Sequence, residues 1–256
     1  MMHTMRTPSR GFRAGPTPAP VLLLASLLGP LVGPCGAQDP GKTDQAPAQS
    51  RPQTLPHVRV DRAQRLVDLE ATVVTREAPW LELLACSPGS REHEAILSIE
   101  ARPSHVHLAL LMLGLEPGAP LTWREQDGQI VPVPPHGPTV HVSIVLGGRG
   151  RPTEVPAGNW ILNNQTSEPL GDSTWIFTGS TVRQFEGQSI FMADLGGTVI
   201  SLVNFGDDLL ARATDRTNKN DQEAWGPRVE AIPPVGTKVI VRLRPHKEAP
   251  SAAKPQ

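Results

Sequence analysis

Proline and glycine cut this chain into short pieces, and that punctuation limits its possible folds more than any other feature. The 28 prolines and 23 glycines concentrate at the two ends and in segment 117–158. Proline fixes φ and has no amide hydrogen to donate, so it stays out of helix interiors and central strands. Between the breaks lie short runs that alternate or are rich in β-branched residues, bounded by turn signals. Such runs read as strands.

Segment 57–244 holds these runs and is the expected domain. Strands are expected at 66–75, 81–86, 95–101, 121–124, 139–146, 174–179, 189–193, 198–203 and 238–243. One helix is expected at about 103–114. Pro103 suits its first turn, Ser104 can cap it, and Leu108, Leu111, Met112 and Leu115 recur at helical spacing. Ala109, Leu110 and Leu113 are apolar too, so this helix should be buried on most sides and should end at Gly114 or Gly118. Residues 194–197 read as a tight turn joining two strands into a hairpin, and 207–210 as one helical turn. Many strands, one buried helix and no regular strand–helix alternation predict an α+β domain of mostly antiparallel β. A doubly wound parallel sheet does not fit that order.

The ends have a different character. No acidic residue precedes Asp39, whereas Arg6, Arg10 and Arg13 make the leading segment basic. The apolar run VLLLASLLGPLV at 21–32 is shorter than the ~20 residues a membrane span needs. A basic start, a short apolar stretch and small residues after it predict a signal peptide over 1–37, cut after Ala37. Cys35 opens a second reading, a lipoprotein acylated at that cysteine, but Pro34 stands where a small flexible residue is expected. Residues 38–56, polar and proline-rich, read as a disordered spacer, and 245–256 as a similar tail. The expected location is the periplasm or the exterior, with no transmembrane helix once the signal is removed. Cys86 would then be the single cysteine, which excludes an internal disulfide. A formal net charge of −1 argues against a nucleic-acid partner. A protein partner stays open.

Familiar catalytic signatures are missing: no G-x-S-x-G elbow, no phosphate-binding glycine loop and no paired C-x-x-C. His93-Glu94 begins like a zinc-protease motif, but Leu97 stands where the second histidine belongs. What remains is ELLACSPGSREHE at 82–94. If the strands on either side formed an antiparallel hairpin, Cys86 and His93 would face each other with Cβ atoms ~5 Å apart. The imidazole would then favour a thiolate, with Glu94 a candidate acid–base group. Cys86 and His93 would equally offer two ligands to a metal, and one of His105 and His107 a third. Against both stands the ordinary behaviour of a free cysteine, which is to be buried as a small hydrophobe. Glu82 and Glu94 are more ordinarily solvated or capping groups. His136 and His141 read as surface residues, and Asp194 as a turn-former. Trp80, Trp123, Trp160, Trp175 and Trp225 read as core anchors rather than a sugar-stacking platform. No cofactor can be named.

Three stretches carry a family resemblance: LELLACSPGSREHEAILSIEARPSHVHLALLMLGLEPG at 81–118, WIFTGS at 175–180 and FMADLGGTVISLVNF at 191–205. Together they resemble the YdjY-like proteins, over most of 60–244. The most specific part is Glu82, Cys86, His93 and Glu94, followed by Ala109-Leu110, Leu113-Gly114 and Pro117-Gly118. Phe191 departs from the tyrosine expected there. The resemblance implies an exported bacterial domain of undefined activity, associated in some members with ferredoxin-like redox proteins. This chain lacks the clustered cysteines of an iron–sulfur centre, so a redox role would run through a partner or Cys86. The leading expectation is a non-catalytic interaction or accessory module of the cell envelope. The alternative is a thiol- or metal-dependent enzyme centred on Cys86 and His93.

Overall fold

Strict alternation builds the longest strands. In 238–245, Val239, Val241 and Leu243 are buried on one face while Ile240, Arg242 and Arg244 take the other. In 139–146, Val140, Val142 and Ile144 do the same against His141 and Ser143. In the computed structural model, residues 55–147, 151–171, 174–213, 217 and 224–246 are described. The expected signal segment 1–37, and most of the expected spacer and tail, lie outside them.

The strands are β1 (Val58–Asp61), β2 (Leu66–Val73), β3 (Leu83–Cys86), β4 (Ala95–Ile99), β5 (Thr122–Gln126), β6 (Gln129–Val133), β7 (Thr139–Leu146) and β8 (Thr153–Pro156). They continue with β9 (Ile161–Asn163), β10 (Thr174–Phe177), β11 (Val182–Phe185), β12 (Gln188–Phe191), β13 (Thr198–Ser201), β14 (Leu210–Ala211), β15 (Trp225–Pro227) and β16 (Lys238–Pro245). Two helices are α1 (Pro103–Met112) and α2 (Met192–Gly196).

One edge of β2 pairs with β16 along its length. The other edge pairs with β1 through its first half and with β4 through its second. The β2–β4 pairing closes the path β2-β16-β7-β10-β14-β13-β3-β4 into an eight-stranded barrel. Closure removes the unpaired edges that an open sheet exposes. Val67, Leu69, Val142, Trp175, Phe177, Val241 and Leu243 fill it, as side chains do in a barrel of this size. The Trp175 indole N–H donates to the Ser201 carbonyl at 2.9 Å, so this buried ring leaves no donor unpaired. The domain is therefore mostly antiparallel β, as expected, but the α+β class needs correction. The sheet packs on itself rather than on a helical layer. Local periodicity sets each strand but cannot say that 66–73 must join 238–245.

The outer face is pinned by charge. Arg242 holds Asp68 through two bonds of 2.6 and 2.8 Å and reaches Glu154 at 2.9 Å, while Arg244 also bonds Glu154. This pulls the Glu154 carboxyl down to about 2, chiefly through the Arg244 hydrogen bond. Strands β2, β16 and β8 are tied together by this fork geometry.

Helix α1 follows β4 and buries Val106, Ala109 and Leu110, but Leu111 and Met112 are 39% and 38% exposed, so it is less enclosed than expected. Pro103 takes the first turn and Gly114 (φ 82°) lies just beyond the end, as the sequence predicts. The cap comes from elsewhere. Asp194 of α2 accepts the Ser104 amide and hydroxyl, both at 2.7 Å, and bonds Arg102 at 3.2 Å. The hairpin turn expected at 194–197 is thus a helix instead. Its flanking strands do not pair: β12 pairs with β11, and β13 with β14 and β3. Similarly, 207–210 leads into β14 rather than forming a helical turn. No helix among the described residues is long and apolar enough to cross a membrane.

Candidate functional site

All barrel pairings are antiparallel except two, β3–β4 and β13–β14. A parallel neighbour demands that the chain run back along the strand it has just left, usually over a dozen residues or more. Here residues 87–94 and 202–209 do it in less. The antiparallel hairpin expected around 87–92 is therefore corrected: Cys86 pairs with Ser98 of β4 in parallel and with Thr198 of β13 across the other edge. A 3-10 turn at Glu92–Glu94 takes up the return.

The two return loops lie against each other. The Arg91 guanidinium sits 4.4 Å over the Phe205 ring, and the Leu202 amide donates to the Glu82 carbonyl at 2.8 Å. Phe205 also packs on Leu83, Cys86 and Ala95.

This arrangement redistributes the roles of segment 82–94. Cys86 is fully buried, and burial pushes its thiol up, eased only in part by hydrogen bonds from Ser90 and the Arg91 amide. His93 points outward with 79% of its side chain exposed, 3.7 Å from Glu94. His107 packs edge-on against Phe177 and Phe191, and burial lowers its pKa. Among the described residues, no group of three or more His, Cys, Asp or Glu is placed to hold a metal ion. His136 is exposed, and His141 meets His246 on the outer face.

The carboxylates are what the loops gather. Glu82 and Glu94 are both buried, at 6% and 7% exposure. Arg91 bonds Glu94 at 2.9 Å and lies 3.9 Å from Glu82. Glu82 is pushed up to about 7, first by burial and then by the adjacent Glu94 charge and hydrogen bond, against the pull of Arg91. Asp208 is buried in the second loop and accepts the Phe205 and Gly206 amides at 3.0 Å, while burial raises it to about 6. Asp207 accepts the Thr198 hydroxyl at 3.0 Å, and burial raises its pKa as well. Raised carboxyl pKa values gathered in one place are the usual mark of a functional site, although structural networks also produce them.

Beside these loops opens a cleft of about 690 Å³. Thr122 and Trp123 of β5 line it, with Arg183 of β11, Met192 of α2, and Phe205 and Asp207 of the second loop. Sequence reasoning missed it because, among the described residues, the hairpins β5–β6 and β11–β12 pair only within themselves, away from the barrel. The visible signal was a tryptophan in a strand too polar to be core, TWREQ, every residue of which is exposed. Trp160 and Trp175 are core anchors as expected, but Trp80 and Trp123 are exposed at 40% and 55%.

No curated protein and no solved structure matches this chain. The family model of the YdjY domain matches residues 58–244, from the first residue of β1 into β16, and so spans the whole barrel and both return loops. The chain belongs to the YdjY domain family.

Proposed function

We propose that this chain is an exported binding module of the cell envelope, which engages its partner on the face carrying the cleft and the two hairpins. Export rests on the basic, acid-free start and the short apolar run at 21–32. The observation that carries the binding role is where exposed apolar side chains gather. Of the ten large apolar side chains exposed among the described residues, five belong to β5–β6, β11–β12 or α2: Trp123 (55%), Ile130 (66%), Val182 (61%), Phe185 (45%) and Leu195 (64%). Large apolar groups held in water on projecting hairpins cost solvation free energy that binding would recover. The hairpins add nothing to the barrel ladder, so their sequence is free to serve recognition.

Two experiments test this. N-terminal sequencing of the chain recovered from the periplasm or medium should find Gln38 first; an unprocessed chain confined to the cytoplasm refutes export. A photo-crosslinking residue at Ile130 or Phe185 should capture a defined envelope component in intact cells, and one at Val235 should not. Equal capture from all three positions refutes the assignment of this face.

A further inference from the structure

We infer that the cleft between β5 and β11 binds a neutral oligosaccharide, with Trp123 as the platform on which a sugar ring stacks. This rests on the reading of the domain as a binding module and names the ligand. A pyranose presents an apolar C–H face and a rim of hydroxyls, and the cleft is divided in the same way. Trp123 and Phe205 supply aromatic surface, but Phe205 is already covered by the Arg91 guanidinium at 4.4 Å, which leaves Trp123 as the open face. An indole ring left 55% exposed in a cleft is a ready apolar surface with one polar edge.

The polar groups around it suit hydroxyls. Arg183 makes no hydrogen bond or salt bridge among the described residues, so its planar fork is available to vicinal hydroxyls. The Thr181 hydroxyl is buried in the cleft wall without a partner, a state that costs free energy until a ligand or water meets it. Asp207 lies within the fields of Arg91 and, more weakly, of Arg183, and accepts the Thr198 hydroxyl on its side chain. Among the described residues the lining holds one cation and one carboxyl group, a balance that suits a neutral ligand better than a phosphate or a polyamine. At about 690 Å³ the cleft falls within the ~300–1,000 Å³ of small-molecule sites and has room for a short oligosaccharide.

The test titrates the intact chain with chitotetraose, cellotetraose and maltotetraose, by calorimetry and by saturation-transfer NMR. At least one should bind with transfer concentrated on ring C–H protons. Trp123→Ala should weaken that binding at least tenfold and Arg183→Ala severalfold. Trp80→Ala, which alters the other exposed tryptophan outside the cleft, should leave it unchanged. Both tryptophans are exposed, so melting temperatures should stay with wild type, which separates lost binding from lost folding. Absence of binding by all three sugars at millimolar concentration overturns the inference, as does binding that Trp80→Ala abolishes and Trp123→Ala spares. If crosslinking at Ile130 or Phe185 still captures an envelope protein while no sugar binds, the saccharide fails and the binding module stands. If neither occurs, both fall.

Discussion

Glu82→Gln should make the domain more stable above neutral pH and leave it nearly unchanged in acid. In the folded chain Glu82 is pushed from an ordinary 4.5 to about 7 by burial and by Glu94. Below pH 4.5 the group is protonated whether the chain is folded or not. Between 4.5 and 7 the unfolded chain has released a proton that the folded chain still holds, so stability falls as pH rises through that window. Above 7 the loss is complete. At ~1.4 kcal/mol per pK unit the shift corresponds to at most ~3–4 kcal/mol. Arg91, whose side chain is 35% exposed, stands over the pair, and solvent screening there trims the expected effect to ~1–2 kcal/mol.

Glutamine removes the titration and keeps the contact, because its amide can donate to Glu94 as the protonated carboxyl does. Urea unfolding at pH 4, 5, 6, 7 and 8, followed by tryptophan emission, gives the comparison. Asp208 loses its proton over part of the same range, but it is present in both proteins and drops out of the difference. The expected result is near-equality at pH 4 and an advantage to the Glu82→Gln variant of ~1–2 kcal/mol at pH 8. Parallel profiles, or a variant less stable than wild type at pH 8, would refute the account of a buried and mutually repelling pair.

Asp194→Ala should cost ~1–2 kcal/mol in the same urea assay, because α1 loses the carboxylate that accepts its Ser104 amide and hydroxyl. Asp194→Asn should recover part of it. Cys86 should resist iodoacetamide in the folded chain up to pH 9 and react at once in urea, given a buried thiol with a raised pKa. Rapid labelling at neutral pH would restore the reactive-thiol reading. Gly197→Ala should destabilise by ~1–3 kcal/mol, since φ is 71° and an added Cβ would lie 2.3 Å from the Ser90 hydroxyl. A melting temperature equal to wild type would show that the 87–94 loop yields there.

What the sequence makes legible is whatever depends on neighbours along the chain. The strand expected at 139–146 has those bounds in the structure, and 66–75 and 238–243 nearly so, because alternation is written into each. The split edge of β2, shared by β1 and β4, has no local signature, and so barrel closure is invisible in the sequence. The helix of 103–112 announces itself, but its cap lies some ninety residues away on Asp194. Segment 82–94 stands out in the sequence for its reactive residue types. Its roles differ from those expected, because the chain doubles back in parallel where a hairpin would run antiparallel. Gly206-Asp207 is a turn signal that argues against a helical turn at 207–210.

The parallel seams also separate the carboxylates that hold the fold from the one that can meet a ligand. A loop that returns along a strand cannot pair its own backbone in a ladder, so its buried amides need other acceptors. Asp208, fully buried, supplies them for Phe205 and Gly206, and the Glu82–Glu94 pair with Arg91 anchors the opposite loop. Each of these three carboxyl groups is occupied by its own scaffold. Asp207 differs from them: it is partly buried, accepts a threonine hydroxyl and forms part of the wall that Trp123 and Arg183 share. The demand of turning twice in parallel is thus met by acids that stay inside, and the adjacent acid is left facing the cleft.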